Sequence, residues 1–169
     1  MATQSDLEEV WLVVSPHNPL KSKKSLANDY DRLHLVNLAI EDNDRLKASS
    51  IEFQLPQPSY TVNTLAYLRE KYPSRDFVLI MGADNLATLH KWKNYDLLLQ
   101  HYAIYVYNRP TFEDLVFPDF PNADIQFFQA PMLEISATYI RSCIKNGFSI
   151  RYLVPEKVFQ YLEENKLYK

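Results

Sequence analysis

Phe77-Val78-Leu79-Ile80-Met81-Gly82-Ala83-Asp84-Asn85-Leu86 is the stretch that decides the fold. Residues 77–81 form an apolar run and read as a strand. Gly82 ends it, and a residue without a side chain lets a ligand approach the backbone there. Asp84 follows, read either as a helix N-cap or as a group facing that ligand. A second apolar run, residues 9–14, fits a strand buried on both faces of a parallel sheet. Further strands are expected over 46–53, 102–107 and 125–129. Helices are expected over 28–40, 61–72, 94–100 and 138–146, and from Pro155 to about residue 166. Gly147 is expected to close the fourth of these helices. Strands alternating with helices imply βαβ units and a mainly parallel sheet flanked by helices. In such sheets ligands lie beyond the carboxyl ends of the strands.

Composition narrows the function. The 169 residues are 47% hydrophobic and 23% charged, with net charge −3. That length reads as a single domain, residues 1–169, with chain enough for a sizeable core. The acidic balance argues against a nucleic-acid backbone as partner. It leaves room for a local cationic pocket. Cys143 is the only cysteine, so no intrachain disulfide and no zinc cluster is expected; it reads as a packed helix residue. No signal-peptide core and no run of roughly 18 apolar residues is found, so a cytoplasmic location without membrane attachment is expected. Two glycines and ten prolines punctuate the chain. Residues 111–124, rich in Pro, Phe and Asp, read as a mobile loop.

Chemistry concentrates at helix starts. Ile135-Ser136-Ala137-Thr138-Tyr139-Ile140-Arg141 opens a helix. Ser136 suits an N-cap, Thr138 adds a hydroxyl, and Arg141 places a planar guanidinium in the first turn. The free N–H groups of a helix start favour an anion. An ordinary capped helix with surface cations is the alternative. Ser15-Pro16-His17-Asn18-Pro19-Leu20-Lys21 follows the first strand. Lys21, beside Lys23 and Lys24, could equally be a solvated basic patch. Pro58-Ser59-Tyr60-Thr61-Val62-Asn63-Thr64-Leu65 opens another helix, where Thr61 would serve as a cap. Trp92, with Tyr95 nearby, reads by itself as a core aromatic. Arg109 reads by itself as the end of a strand.

Taken in their order along the chain, the four motifs resemble the bacterial nicotinate-nucleotide adenylyltransferase family, from about residue 10 to the C-terminus. The resemblance implies a Rossmann-like nucleotidyltransferase fold. It implies adenylyl transfer from ATP to nicotinate mononucleotide, giving deamido-NAD and pyrophosphate, with Mg²⁺ accompanying ATP. It implies that Lys21, Asp84, Ser136, Thr138 and Arg141 serve ATP, with Asp84 on a ribose hydroxyl. It implies that Tyr60, Thr61, Thr64, Trp92 and Arg109 serve the mononucleotide. The Tyr60–Thr64 turn would receive the nicotinate carboxylate and Trp92 would stack on the pyridine. Partners are then small molecules, with a homo-oligomer left open.

One part of the family pattern is missing. The histidines stand at 17, 34, 90 and 101, and no pair forms H-x-G-H. The family's first strand and most of its first helix are therefore expected to be absent from these 169 residues. That strand would lie at the sheet centre beside the 9–14 strand. The catalytic residues are left unassigned and the activity of this chain by itself is placed in doubt. Two alternatives stay open. One is a related adenylyltransferase acting on nicotinamide mononucleotide or phosphopantetheine. The other is a non-catalytic nucleotide-binding remnant.

Overall fold

Every strand among the described residues pairs in parallel. A computed structural model describes residues 1–16, 26–107, 117–131 and 133–169. Strand β1 (Val10–Val13) pairs with β2 (Leu46–Ser49), Val10 opposite Leu46. Strand β3 (Leu79–Gly82) pairs with β4 (Ile104–Tyr107), and β4 with β5 (Ile125–Phe128). The ladders form two sheets, ordered β1-β2 and β3-β4-β5. The fold is thus the expected α/β arrangement with parallel pairing, laid out as two ladders. The chain divides accordingly into two units, which are taken in turn. Tyr60–Glu134, with Met1, form one; Ala2–Ser59 and Ile135–Lys169 form the other.

In the first unit, β4 is the middle strand, and Ile104, Tyr105 and Val106 are all buried. A strand covered on both faces reads as an unbroken apolar run, which is why 102–107 was legible. Helix α2 (Thr61–Lys71) brings Val62, Leu65 and Leu68 to this core at helical spacing. Each such side chain contributes about 1.5–3 kcal/mol when fully buried. The link from β3 to β4 is more broken than expected. It holds α3 (Ala83–Ala87), a 3₁₀ turn (Leu89–Lys91) and α4 (Tyr95–His101). Leu86, Leu89 and Leu98 anchor these pieces, each at most 1% exposed.

In the second unit, α1 (Asp29–Ile40) carries the chain from β1 to β2. Asn28 caps it by accepting the Asp31 N–H at 2.9 Å. The expected strand 46–53 stops at Ser49, and Ile51–Gln54 turn into a 3₁₀ helix. Ile51 and Glu52 are buried there, and the Ser15 hydroxyl donates to the Glu52 carboxylate at 2.6 Å. The apolar pattern reported burial correctly and conformation wrongly. Helices α5 (Ala137–Lys145) and α6 (Glu156–Glu164) build a core from Cys143, Ile144, Ile150, Val158 and Leu162. Cys143 is therefore a packed helix residue, as expected. Pro155 is the N-cap of α6, and the helix ends at Glu164, short of the expected 166.

Two contacts in this unit have measurable consequences. Helix α5 ends in a Schellman motif: Phe148 N–H donates to the Cys143 carbonyl and Gly147 N–H to that of Ile144. Asn146 is the C-cap, and Gly147 follows it at φ +73°. A Cβ at Gly147 would meet nothing within 4 Å, so the cost of adding one is backbone strain alone. Gly147→Ala should destabilise the protein by about 1–2 kcal/mol, read from urea unfolding, and an unchanged midpoint would remove this cap from the account. The second contact joins α1 to α6. The Tyr161 hydroxyl donates to Asp31 at 2.8 Å, and the His34 ring lies 4.5 Å from the Tyr161 ring. The bond to Asp31 raises the hydroxyl's pKa above its ordinary value. A raised folded-state pKa gives stability that is full below the unfolded value of roughly 10 and lost as pH rises through the folded one. Tyr161→Phe should therefore flatten the alkaline decline in stability, and an identical decline in both proteins would count against the contact.

Candidate functional site

The helix starts named from sequence lie at different places in the chain's two units. Tyr60, Thr61, Thr64, Asp84 and Trp92 belong to the first; Ser136, Thr138 and Arg141 belong to the second. Lys21, Lys23, Lys24, His17 and Arg109 lie outside the described residues, as do residues 111–116 of the expected 111–124 loop.

At the start of α5, Ser136 has extended backbone and its hydroxyl accepts the Tyr139 N–H at 3.1 Å. This is the N-cap expected from sequence. Arg141, one turn in, donates through Nη2 to the Thr138 hydroxyl at 3.3 Å. That contact turns the guanidinium back toward the helix start. Its ring partner is Tyr168, with Cζ 6.0 Å from the centroid. Thr138 is exposed and Arg141 half-buried. A hydroxyl and a guanidinium thus stand together at the first turn of the helix. Such a surface suits an anion carrying several oxygens.

At the start of α2, the N-cap is Tyr60, and its side chain makes no capping bond. Thr61, expected as a possible cap, is instead the first helical residue. Thr64 is 4% exposed and its hydroxyl donates to the Tyr60 carbonyl at 3.3 Å. It braces the turn from inside.

What reaches this turn is a residue the sequence reading did not single out. Lys93 holds its Nζ 4.3 Å from the centroid of the Tyr60 ring. Its neighbour Trp92 is half-buried, with its N–H bonded to the Leu89 carbonyl at 2.8 Å. A cation on an aromatic face thus joins the Tyr60 turn to the residue that follows Trp92. Lys93 carried one signal in sequence: its position beside Trp92.

Asp84 sits in the first turn of α3, whose N-cap is Gly82. The alternative reading of Asp84 as a cap is thereby corrected: backbone geometry gives that position to Gly82. Tyr95 opens α4 and its ring lies 6.3 Å from that of Phe120. His90 and His101 are exposed. Among the described residues no three His, Cys, Asp or Glu side chains gather into a metal-binding group. Among them also, no helix is long and apolar enough to cross a membrane.

Comparison with known proteins bears on the family and the fold. Residues 2–143 match the sequence model of the family described as Cytidylyltransferase-like. A protein of Flavobacterium psychrophilum, named "Probable nicotinate-nucleotide adenylyltransferase", is 54% identical over all of this chain and 88% of its own length. One of Bacteroides thetaiotaomicron with the same name is 41% identical over 94% of this chain and 78% of its own. Among solved structures, a Plasmodium falciparum nicotinic acid mononucleotide adenylyltransferase complexed with NaAD superposes with a TM-score of 0.74. It covers 95% of this chain and 82% of that one at 18% identity, a likeness of fold.

Proposed function

The chain belongs to the nicotinate-nucleotide adenylyltransferase family, and on that premise we propose that it serves adenylyl transfer from ATP to nicotinate mononucleotide. The products are deamido-NAD and pyrophosphate. The observation that carries this reading is the α5 start, where Ser136 caps the helix and Thr138 holds Arg141 beside it. Those groups take the phosphates of ATP. The Tyr60 turn and Trp92 take the mononucleotide: first-turn amides of α2 receive the carboxylate and the indole stacks on the pyridine. Asp84 accepts a hydrogen bond from a ribose hydroxyl. Lys21 and Arg109 add phosphate contacts in the same proposal.

The chemistry asked of these residues is positioning and charge neutralisation. A phosphate oxygen of the mononucleotide attacks the α-phosphorus of ATP in line. The bond from that phosphorus to the bridging oxygen breaks, and pyrophosphate leaves with its electrons. Such transfer gains chiefly from holding the reactants together and from cations on the phosphates. We propose that magnesium arrives on the triphosphate, since it prefers phosphate oxygens and water to an all-protein cage. The H-x-G-H pair does not occur in residues 1–169. Binding is therefore what these residues are asked to supply, and binding measurements test them directly.

Two substitutions separate the two substrates. Trp92→Ala should weaken nicotinate mononucleotide binding about tenfold or more, since stacking on an aromatic is worth roughly 1–3 kcal/mol per base. Calorimetric titration with ATP should be unaffected by it. Unchanged mononucleotide affinity would leave Trp92 a core aromatic and nothing more. Arg141→Ala should do the reverse, costing ATP on the order of 1.5–3 kcal/mol for one charge-assisted contact. Equal losses for both ligands, or none, would withdraw Arg141 from the phosphate site.

A further inference from the structure

We propose that Lys93 is the residue by which this protein tells nicotinate mononucleotide from its amide. This rests on the reading above, which places the pyridine at Trp92. The two candidate substrates differ at one group, a carboxylate against a carboxamide. Both present a carbonyl-type oxygen to backbone N–H donors. The helix start at Tyr60 therefore accepts either, with a moderate preference for the charge. A full positive charge at the same place separates them far more, because only the carboxylate forms a charge-assisted pair with it.

Lys93 is built for that task. It follows Trp92 directly in the chain, so its charge accompanies the stacking platform. Its ammonium lies 4.3 Å from the Tyr60 ring centroid, so it accompanies the helix start as well. A cation on an aromatic face keeps its N–H donors, because the ring offers a quadrupole and no lone pair. The contact also restricts a long side chain before ligand arrives, which lowers the ordering cost of binding. Lys93 is exposed, so its remaining donors face solvent. None of the described ion pairs includes it. Lys71 is the natural comparison. It also lies over rings, 5.9 Å from that of Tyr67 and 5.8 Å from that of Tyr72, but at the last residue of α2. Its charge faces the other end of the helix, some 15 Å away at about 1.5 Å per residue.

The test is calorimetric titration of the 169-residue chain with nicotinate mononucleotide and with nicotinamide mononucleotide. Wild type, Lys93→Met, Lys93→Arg and Lys71→Met are compared. Wild type should prefer the acid. Lys93→Met should lower affinity for the acid about tenfold, the effect of one lost charge-assisted contact, and leave the amide unchanged. Lys93→Arg should keep most of the preference, and Lys71→Met all of it. If wild type binds neither nucleotide, the functional reading falls and this inference with it. If wild type binds the acid but Lys93→Met weakens both ligands equally, Lys93 only supports Tyr60 and this inference alone is overturned. Equal wild-type affinity for acid and amide also overturns it.

Discussion

Parallel pairing is the constraint on which everything else hangs. Two parallel strands cannot be joined by a tight turn, so the chain must cross back before each new strand. Helix α1 makes that crossing between β1 and β2, and the α3–α4 segment makes it between β3 and β4. In the second case the register sets Gly82 opposite Tyr107. The carboxyl ends of β3 and β4 therefore lie at one edge of their sheet. Gly82 turns straight into α3, so Asp84 stands at that edge within two residues of the strand. The first steps of the crossing thus also place Asp84, the proposed ribose partner.

The chain carries a net charge of −3, yet its proposed ligands are anions. No contradiction arises, because recognition here is local. Ser136 consumes one first-turn amide of α5 in capping and so fixes the geometry of the others. The Thr138 hydroxyl then sets Arg141 back over the same turn. A guanidinium held in this way loses less freedom on meeting phosphate than a free one would. Overall charge bears on long-range steering, while in the proposed reading the turn sets affinity.

How much of this was legible in the sequence depends on what each residue's pattern encodes. Residues 102–107 and 77–81 were readable because burial on both faces leaves an unbroken apolar run. Residues 50–53 were misread because the same apolar signal serves a buried 3₁₀ turn, and Ile51 and Glu52 are buried without being strand. Helix α3 was missed because five residues span little more than one turn, too short for a period to show. Ser136 and Gly147 were found, since capping depends on single side chains and on a single positive φ. Thr61 and Thr64 were assigned to the right turn, but which of them faces inward is decided by packing. The Lys93–Tyr60 contact joins residues 33 positions apart, so no local pattern announces it.

That last case says where discrimination resides. The amides of a helix start are supplied by any sequence that can form the helix, and they bind an anion by charge and geometry alone. They cannot be tuned without losing the helix. Side chains that lean over the start can be. Arg141 over α5 and Lys93 over the Tyr60 end of α2 are such side chains, each attached to an element the core holds rigidly: Cys143 and Ile144 anchor α5, and Leu89 anchors the turn that leads to Lys93. In the proposed reading the fold supplies two generic anion-suited helix starts, and one cation beside each sets which anion is preferred.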